Sequence, residues 1–257
     1  MKINSKNNIK FMCIIPAAGE SSRFKKGNKL FEYITKNENI LSRTIEIVKG
    51  IEFDEVFVGL NPKDINFPKT YSGNIDNITF YAGGESRQKT VLNGLDCIKK
   101  LNIDDIDNTW VLIHDAARPV IQSSEIAEFM INVLRLNKSS IMAIPVSDTI
   151  KKVDKNSNII KTTSRDKMWL AQTPQMFRFG ILYSSLEYCE SSKINVTDES
   201  QALEILGHEC AVVRGIPENI KITEDIDLNH AKELIGENGI LTYDINWICK
   251  QAEESND

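Results

Sequence analysis

The sequence predicts a single α/β domain built on a mixed, mostly parallel sheet, with helices on both faces and one protruding β-arm. Three observations predict it. Short, nearly continuous apolar runs recur along the chain, as expected of strands buried on both faces. Between them lie amphipathic stretches of helical periodicity, the pattern of right-handed crossover units. Near residue 148 two alternating segments around a polar turn interrupt this rhythm, which then resumes.

Taken in order, residues 1–10 are polar and rich in Asn and Lys and read as a frayed tail. The run Cys13-Ile14-Ile15 reads as the first buried strand, stopped by Pro16. The start of the chain faintly resembles a signal peptide, but this apolar run is short for an h-region and flows directly into the patterned domain. Residues 40–50, "ILSRTIEIVKG", carry apolar residues at helical spacing and end in Gly50, a C-cap residue. "EVFVGL" (55–60) and "NITFYAG" (77–83) alternate as strands do. Residues 86–101 place Val91, Leu92, Leu95 and Ile98 on one helical face. "WVLIHDA" (110–116) is a buried strand, 123–136 an amphipathic helix opened by a Ser N-cap signal, and "SSIMAIPV" (139–146) a further strand. The segment 148–172 alternates, turns at Asn156-Ser157-Asn158 and alternates again, which is a hairpin with little to bury by itself. Such ribbons are marginally stable alone, so it is expected to lie on a second copy of the chain. Helix and strand signals resume after Pro174: helices over 180–191 and 198–206, the strand "CAVVRG", and a closing helix over 224–236. The last twenty residues read equally as an add-on or a tail. Residues 11–257 are therefore expected to form one domain with an arm over about 148–172.

Length and composition agree with this reading. The chain has 257 residues, 41% apolar and 26% charged, as in ordinary soluble globular proteins. A net charge of -5 argues against bulk binding to nucleic acid but leaves room for a local cationic pocket. No apolar run is long enough for a membrane helix. The five cysteines, at 13, 97, 189, 210 and 249, form no CxxC pair and read as reduced thiols of a cytoplasmic protein.

In open parallel sheets, ligands bind beyond the carboxyl ends of the strands, so the residues that follow each strand are the candidates. They are Pro16-Ala17-Ala18-Gly19 with Arg23, Lys25, Lys26 and Lys29 soon after, then Gly83-Gly84-Glu85-Ser86-Arg87. Next come His114-Asp115-Ala116-Ala117-Arg118, then Asp148-Thr149, and late in the chain Asn219-Ile220-Lys221. Small residues, cations and one acid thus recur at one rim, where Ala and Gly let a base or phosphate approach the main chain. Plainer readings exist for each piece. Gly83-Gly84 can be a turn, Asp115 a loop cap or the partner of Arg118, His114 a packed side chain, and Lys25 and Lys26 solvated. A dinucleotide fold needs G-x-G-x-x-G and a P-loop G-x-x-x-x-G-K-[ST], and the chain has neither. What remains is a nucleotide site that meets phosphates with Arg and Lys side chains. The three histidines are too scattered for a metal cluster.

The segments "PAAGESSRF…NKLF", "AGGESRQKTVLNGL", "HDAARP", "IPVSDTIK", "LAQTPQMFR", "VTDES" and "ENIKIT" occur in order from about residue 12 to 235. Together they resemble the 2-C-methyl-D-erythritol 4-phosphate (MEP) cytidylyltransferases of the non-mevalonate isoprenoid pathway. The ribitol-5-phosphate cytidylyltransferases are similar. Ala117 and "WLAQTPQ" favour the former and leave the latter as the alternative. A nucleotide-binding module without catalysis is a remoter one, against which stand Arg23, Lys29 and Lys221. The usual first loop of the family, A-A-G-x-G-x-R, departs here at Ser21.

The resemblance implies a Rossmann-like domain of the nucleotide-diphospho-sugar transferase type, and a homodimer clasped by the arm. It implies transfer of CMP from CTP to MEP with Mg²⁺ and release of pyrophosphate. Arg23, Lys29, Arg165 and Lys221 are implied to be catalytic. Pro16, Ala17, Ala18, Gly19, Gly84, Glu85, Thr90 and Asp115 are implied to bind the nucleotide. Asp115, Arg118, Thr149, Arg165, Thr173 and Lys221 are implied to bind MEP, with Thr149 and Arg165 serving the neighbouring subunit. Mg²⁺ is expected on phosphate oxygens, with Asp115 the one conceivable protein ligand.

Overall fold

The computed structural model describes residues 9–19, 28–64, 67–235 and 242–254. In chain order the elements are β1 (Phe11–Ala17), α1 (Ile40–Lys49), β2 (Glu55–Leu60), the short α2 (Phe67–Thr70), β3 (Ile78–Ala82) and α3 (Arg87–Lys99). Then come β4 (Trp110–Ile113), α4 (Ser123–Leu136), β5 (Ser140–Pro145), β6 (Ile150–Val153), β7 (Ile159–Thr163) and β8 (Trp169–Arg178). The chain closes with α5 (Phe179–Ser191), α6 (Glu199–Ile205), β9 (Ala211–Arg214), α7 (Asp225–Ile235) and α8 (Ile245–Glu253). Seven strands form one sheet in the order β3-β2-β1-β4-β8-β5-β9, and β6 pairs with β7 in a separate ribbon. Within the sheet only β8 runs antiparallel, to both β4 and β5.

The continuous apolar runs arise because both sheet faces are covered. Along β1, Cys13, Ile15 and Ala17 enter the core with residues of α1 and α4 such as Ile45, Ile47 and Phe129. Met12 and Ile14 point the other way, toward Leu95 of α3 and Leu186 of α5. The two cores cover both faces of the sheet beneath its rim.

Several sequence expectations need correction. Pro16 does not stop the first strand; it pairs with Gly59 of β2. The carbonyl of Ile14 accepts from the backbone N–H of His114 on the β4 side, and the pairing with β4 ends there. With a period of two, the missing N–H of Pro16 faces the same side one step later, where no ladder partner remains. Pro174 is likewise inside a strand. It falls in the irregularity between the pairs Ile141↔Gln175 and Ala143↔Ala171, so the ladder is already broken where its N–H is absent. The last residues of the expected arm belong instead to the main sheet: Trp169, Leu170 and Ala171 pair with β5, and the hairpin proper spans β6 and β7. Helix α4 is entered through Gln122, whose N–H donates to Glu125 Oε2 at 2.7 Å, while the Ser123 hydroxyl donates instead to Ile47 O at 2.9 Å. The C-terminal residues are an add-on: α8 lies against α4 with Ile248 and Ala252 buried, and Arg135 donates to Gln251 O at 2.8 Å. All five cysteines are free, with Cys13 and Cys189 buried.

Candidate active site

Chain direction diverges between β1 and β4: β2 follows on one side of β1, whereas β4 lies on the other. This switch point leaves a crevice beyond the carboxyl ends of the two strands. A cleft of about 250 Å³ opens there, lined by Pro16–Gly19 after β1, Asp115–Ala117 after β4, Arg87 and Thr90 of α3, and Lys29, Leu30, Lys221 and Thr223. A second cleft of about 210 Å³ adjoins it, lined by Arg118, Gln172, Thr173, Gln175, Thr197 and Asp198 among others. Both share Arg87, Asp115 and Lys221, which form the partition between them.

The partition is an ion cluster. Arg87 Nε donates to Asp115 Oδ1 at 2.8 Å, and Lys221 Nζ to Asp115 Oδ2 at 2.6 Å. Arg118 Nε lies 4.0 Å from Oδ2. Burial by itself would raise the Asp115 carboxyl, but Arg87 and then Lys221 outweigh it and hold the group well below the usual carboxylate range. Asp115 is held from behind as well, since its N–H donates to Thr173 Oγ1 at 2.9 Å. Lys221 is placed by its neighbour Ile222, which is fully buried and donates its N–H to Ala117 O at 2.8 Å. The carbonyl of the same Ile222 accepts from Lys29 Nζ at 2.7 Å, so one residue ties both lysines to the loop after β4. The loop after β3 approaches the loop after β1 so closely that a Cβ on Gly83 would meet Ala18 Cβ at 2.3 Å, and only glycine fits.

The expected residues therefore divide. Pro16, Ala17, Ala18, Gly19, Lys29, Thr90, Asp115 and Lys221 converge on the first cleft, and Arg118 and Thr173 on the second. Thr90 is tied into the loop, accepting from Gly84 N at 3.0 Å and donating to Ser86 O at 2.8 Å. The hydroxyl of Thr173 likewise serves Asp115 and His114. Gly84 and the exposed Glu85 line neither cleft. Thr149 and Arg165 are exposed on or beside the arm and line neither cleft of their own chain. Arg23, Lys25, Lys26 and Ser21 lie outside the described residues. The sequence names Arg87 only as one of the rim cations and gives no role to Glu199, which pairs with it behind Asp115. Each stood within a quoted segment, but their pairing across 112 residues leaves no trace in periodicity.

His114 is a packed side chain rather than a reacting one. It is fully buried, with Nε2 3.1 Å from Arg118 O and Nδ1 3.2 Å from Thr173 Oγ1. A carbonyl can only accept, so Nε2 carries the proton and Nδ1 accepts from Thr173. Burial pushes this imidazole down to about 4. A histidine held neutral in the fold and free to protonate when unfolded gives full stability above its ordinary value near 6.5, and the stability falls as pH drops toward the lowered value. Urea unfolding is expected to show about 2 kcal/mol lost between pH 7 and pH 5 from this group. A His114→Gln protein should show a flatter profile over that window.

Among the described residues no group of three or more His, Cys, Asp or Glu side chains could hold a metal ion. Among the described residues Asp115 is the one acid lining the first cleft, and each of its oxygens already faces a cation. These residues do not build a cage for a resident metal.

The family model described as "IspD: 2-C-methyl-D-erythritol 4-phosphate cytidylyltransferase" matches residues 11–237. The chain belongs to this family. A cytidylyltransferase of that name from Acinetobacter baumannii (strain ATCC 17978) is 36% identical over 229 residues, covering 88% of this chain and 94% of the relative. The enzyme of that name from Hahella chejuensis is 33% identical, covering 89% and 94%. Among solved structures, the Francisella tularensis 2-C-methyl-D-erythritol 4-phosphate cytidylyltransferase superposes with a TM-score of 0.72 at 33% identity, covering 88% of this chain and 99% of that one. A structure described as 4-diphosphocytidyl-2C-methyl-D-erythritol synthase gives 0.74 at 28% identity, covering 89% and 100%. The family match ends close to α7, so α8 extends beyond it. No helix among the described residues is long and apolar enough to cross a membrane.

Proposed function

We infer that this chain transfers the cytidylyl group of CTP to 2-C-methyl-D-erythritol 4-phosphate, releasing pyrophosphate. The observation that carries the reading is the pair of adjoining clefts with one cationic partition. Two polyanions must come into contact, and the shared wall offers Arg87 and Lys221 to both. In this reading the nucleotide lies in the first cleft along the backbone of Pro16–Gly19 and Ala116–Ala117, with Lys29 and Arg23 on its triphosphate. The acceptor lies in the second, its hydroxyls toward the polar wall of Gln172, Thr173 and Asp198 and its phosphate toward Arg118 and Lys221. An acceptor phosphate oxygen attacks the α-phosphorus of CTP, the α–β bridge bond breaks, and pyrophosphate departs with that electron pair. No covalent enzyme intermediate is required, since positioning and charge stabilisation supply the rate. The Mg²⁺ implied by the family would belong to the triphosphate oxygens of the incoming nucleotide, where it would offset charge.

The chain acts as a homodimer in this proposal. Val153, Ile159 and Ile160 of the β6–β7 ribbon are exposed, an apolar surface that another copy would cover, and Thr149 and Arg165 would then reach the neighbour's acceptor cleft. Sedimentation at micromolar concentration tests it. The free thiols suit a reducing compartment, and we place the protein in the cytoplasm. The experiment that tests the function is pyrophosphate release from CTP or UTP with a panel of polyol phosphates. Turnover is expected with CTP and the methylerythritol ester together. Faster turnover with ribitol 5-phosphate would move the chain to the sister activity, and release without any acceptor would overturn the reading.

A further inference from the structure

Glu199 opens α6, is 1% exposed and lines neither cleft. Its Oε1 accepts from Arg87 Nη1 at 2.6 Å, and its buried Oε2 has no hydrogen-bond partner among the described residues. The other side of the same guanidinium donates to Asp115, so Arg87 is stretched between two carboxylates from distant parts of the chain. We propose that Glu199 is a positioning residue, whose carboxylate fixes Arg87 against Asp115 and so keeps the partition in one arrangement. This rests on the cytidylyltransferase reading and adds to it a residue that touches no substrate.

A buried carboxylate with half its acceptor capacity unused is a poor source of stability, since an apolar replacement often does as well. Its location gives it another role. Asp115 faces three cations, Arg87, Lys221 and Arg118. With Glu199 in place, Arg87 is anchored at both ends. Lys221, whose side chain is 41% exposed, is left as the cation able to turn from Asp115 to an arriving phosphate. Without that anchor, Arg87 would follow the phosphate and the partition would lose its shape. The neighbouring Asp198 secures the arrangement, capping α6 at Gln201 N (3.0 Å) and accepting from Gln175 Nε2 at 3.0 Å in the wall of the second cleft.

The test compares E199Q, which keeps the shape and removes the charge, with wild type on CTP and the methylerythritol ester. The kcat is expected to fall about 10–100-fold while the KM for CTP stays within about threefold. In the R87Q/E199Q double variant the loss should match that of R87Q alone, because the two residues act as a unit. An E199Q kcat within about threefold of wild type, or penalties that multiply in the double variant, would overturn the proposal. Should E199Q fail to fold, E199D keeps the charge one methylene short and is expected to show the same kcat loss. A readout without turnover is the Nε–Hε resonance of Arg87 in arginine-labelled protein, slowly exchanging in wild type and lost in E199Q. Its persistence in E199Q would also contradict the proposal. A wild-type protein inactive with every acceptor would defeat the functional reading instead, and the resonance would still decide the role of Glu199.

Discussion

Lys221→Ala protein is expected to release pyrophosphate about 10²–10³-fold more slowly than wild type, a barrier increase of about 3–4 kcal/mol. The lysine side chain is 41% exposed and its pair with Asp115 is open to solvent, so melting should move by only a few degrees. The effect should fall on kcat more than on the KM for CTP, because the proposed role is to stabilise charge that develops between two phosphates. A raised KM with kcat unchanged would mean that Lys221 binds ground state and transition state equally. Asp115 keeps its Arg87 partner in this variant, which separates loss of the lysine from collapse of the cluster.

Asp115→Ala is expected to act through stability as well as rate. The carboxylate accepts from Arg87 and Lys221 and stands near Arg118, and its side chain is 9% exposed. Removing it leaves the largely buried Arg87 and Arg118 repelling one another beside the partly exposed Lys221, with Glu199 still paired to Arg87. Breaking a buried pair in this way typically costs about 3–5 kcal/mol. For a domain of this length that corresponds to about a 10 °C drop in melting temperature. Calorimetry of the variant beside Lys221→Ala checks it: a large shift is expected only for Asp115→Ala, and an unchanged melting temperature would show that the cluster is not a structural keystone.

Much of this site could be read from residue order, because each piece follows a strand. The alternation of apolar runs and amphipathic stretches placed β2 and its neighbours, and rim loops such as Ala17-Ala18-Gly19 and Asp115-Ala116-Ala117 followed from strand ends. Two prolines misled. Pro16 and Pro174 read locally as boundaries, yet each sits in a strand where a ladder partner is missing, a condition set by neighbouring strands rather than by local sequence. Burial of polar side chains was equally illegible. Glu199 looks like any helix-opening acid until α6, packed on α5, brings it to Arg87 at the start of α3, and only then does the pairing become visible. Thr90 and Thr173 have hydroxyls suited to a ligand in the sequence, whereas in the fold they brace the loops that form the clefts.

The most direct measurement is amide NMR mapping of both ligands on the wild-type protein. CTP is expected to shift Ala17, Ala18, Gly19 and Ala117, the acceptor polyol phosphate to shift Gln172, Thr173 and Thr197, and both to shift Asp115 and Lys221. Competition between the two ligands for the same amides, or an acceptor that leaves the second cleft unperturbed, would contradict a site in which two phosphates meet across one partition.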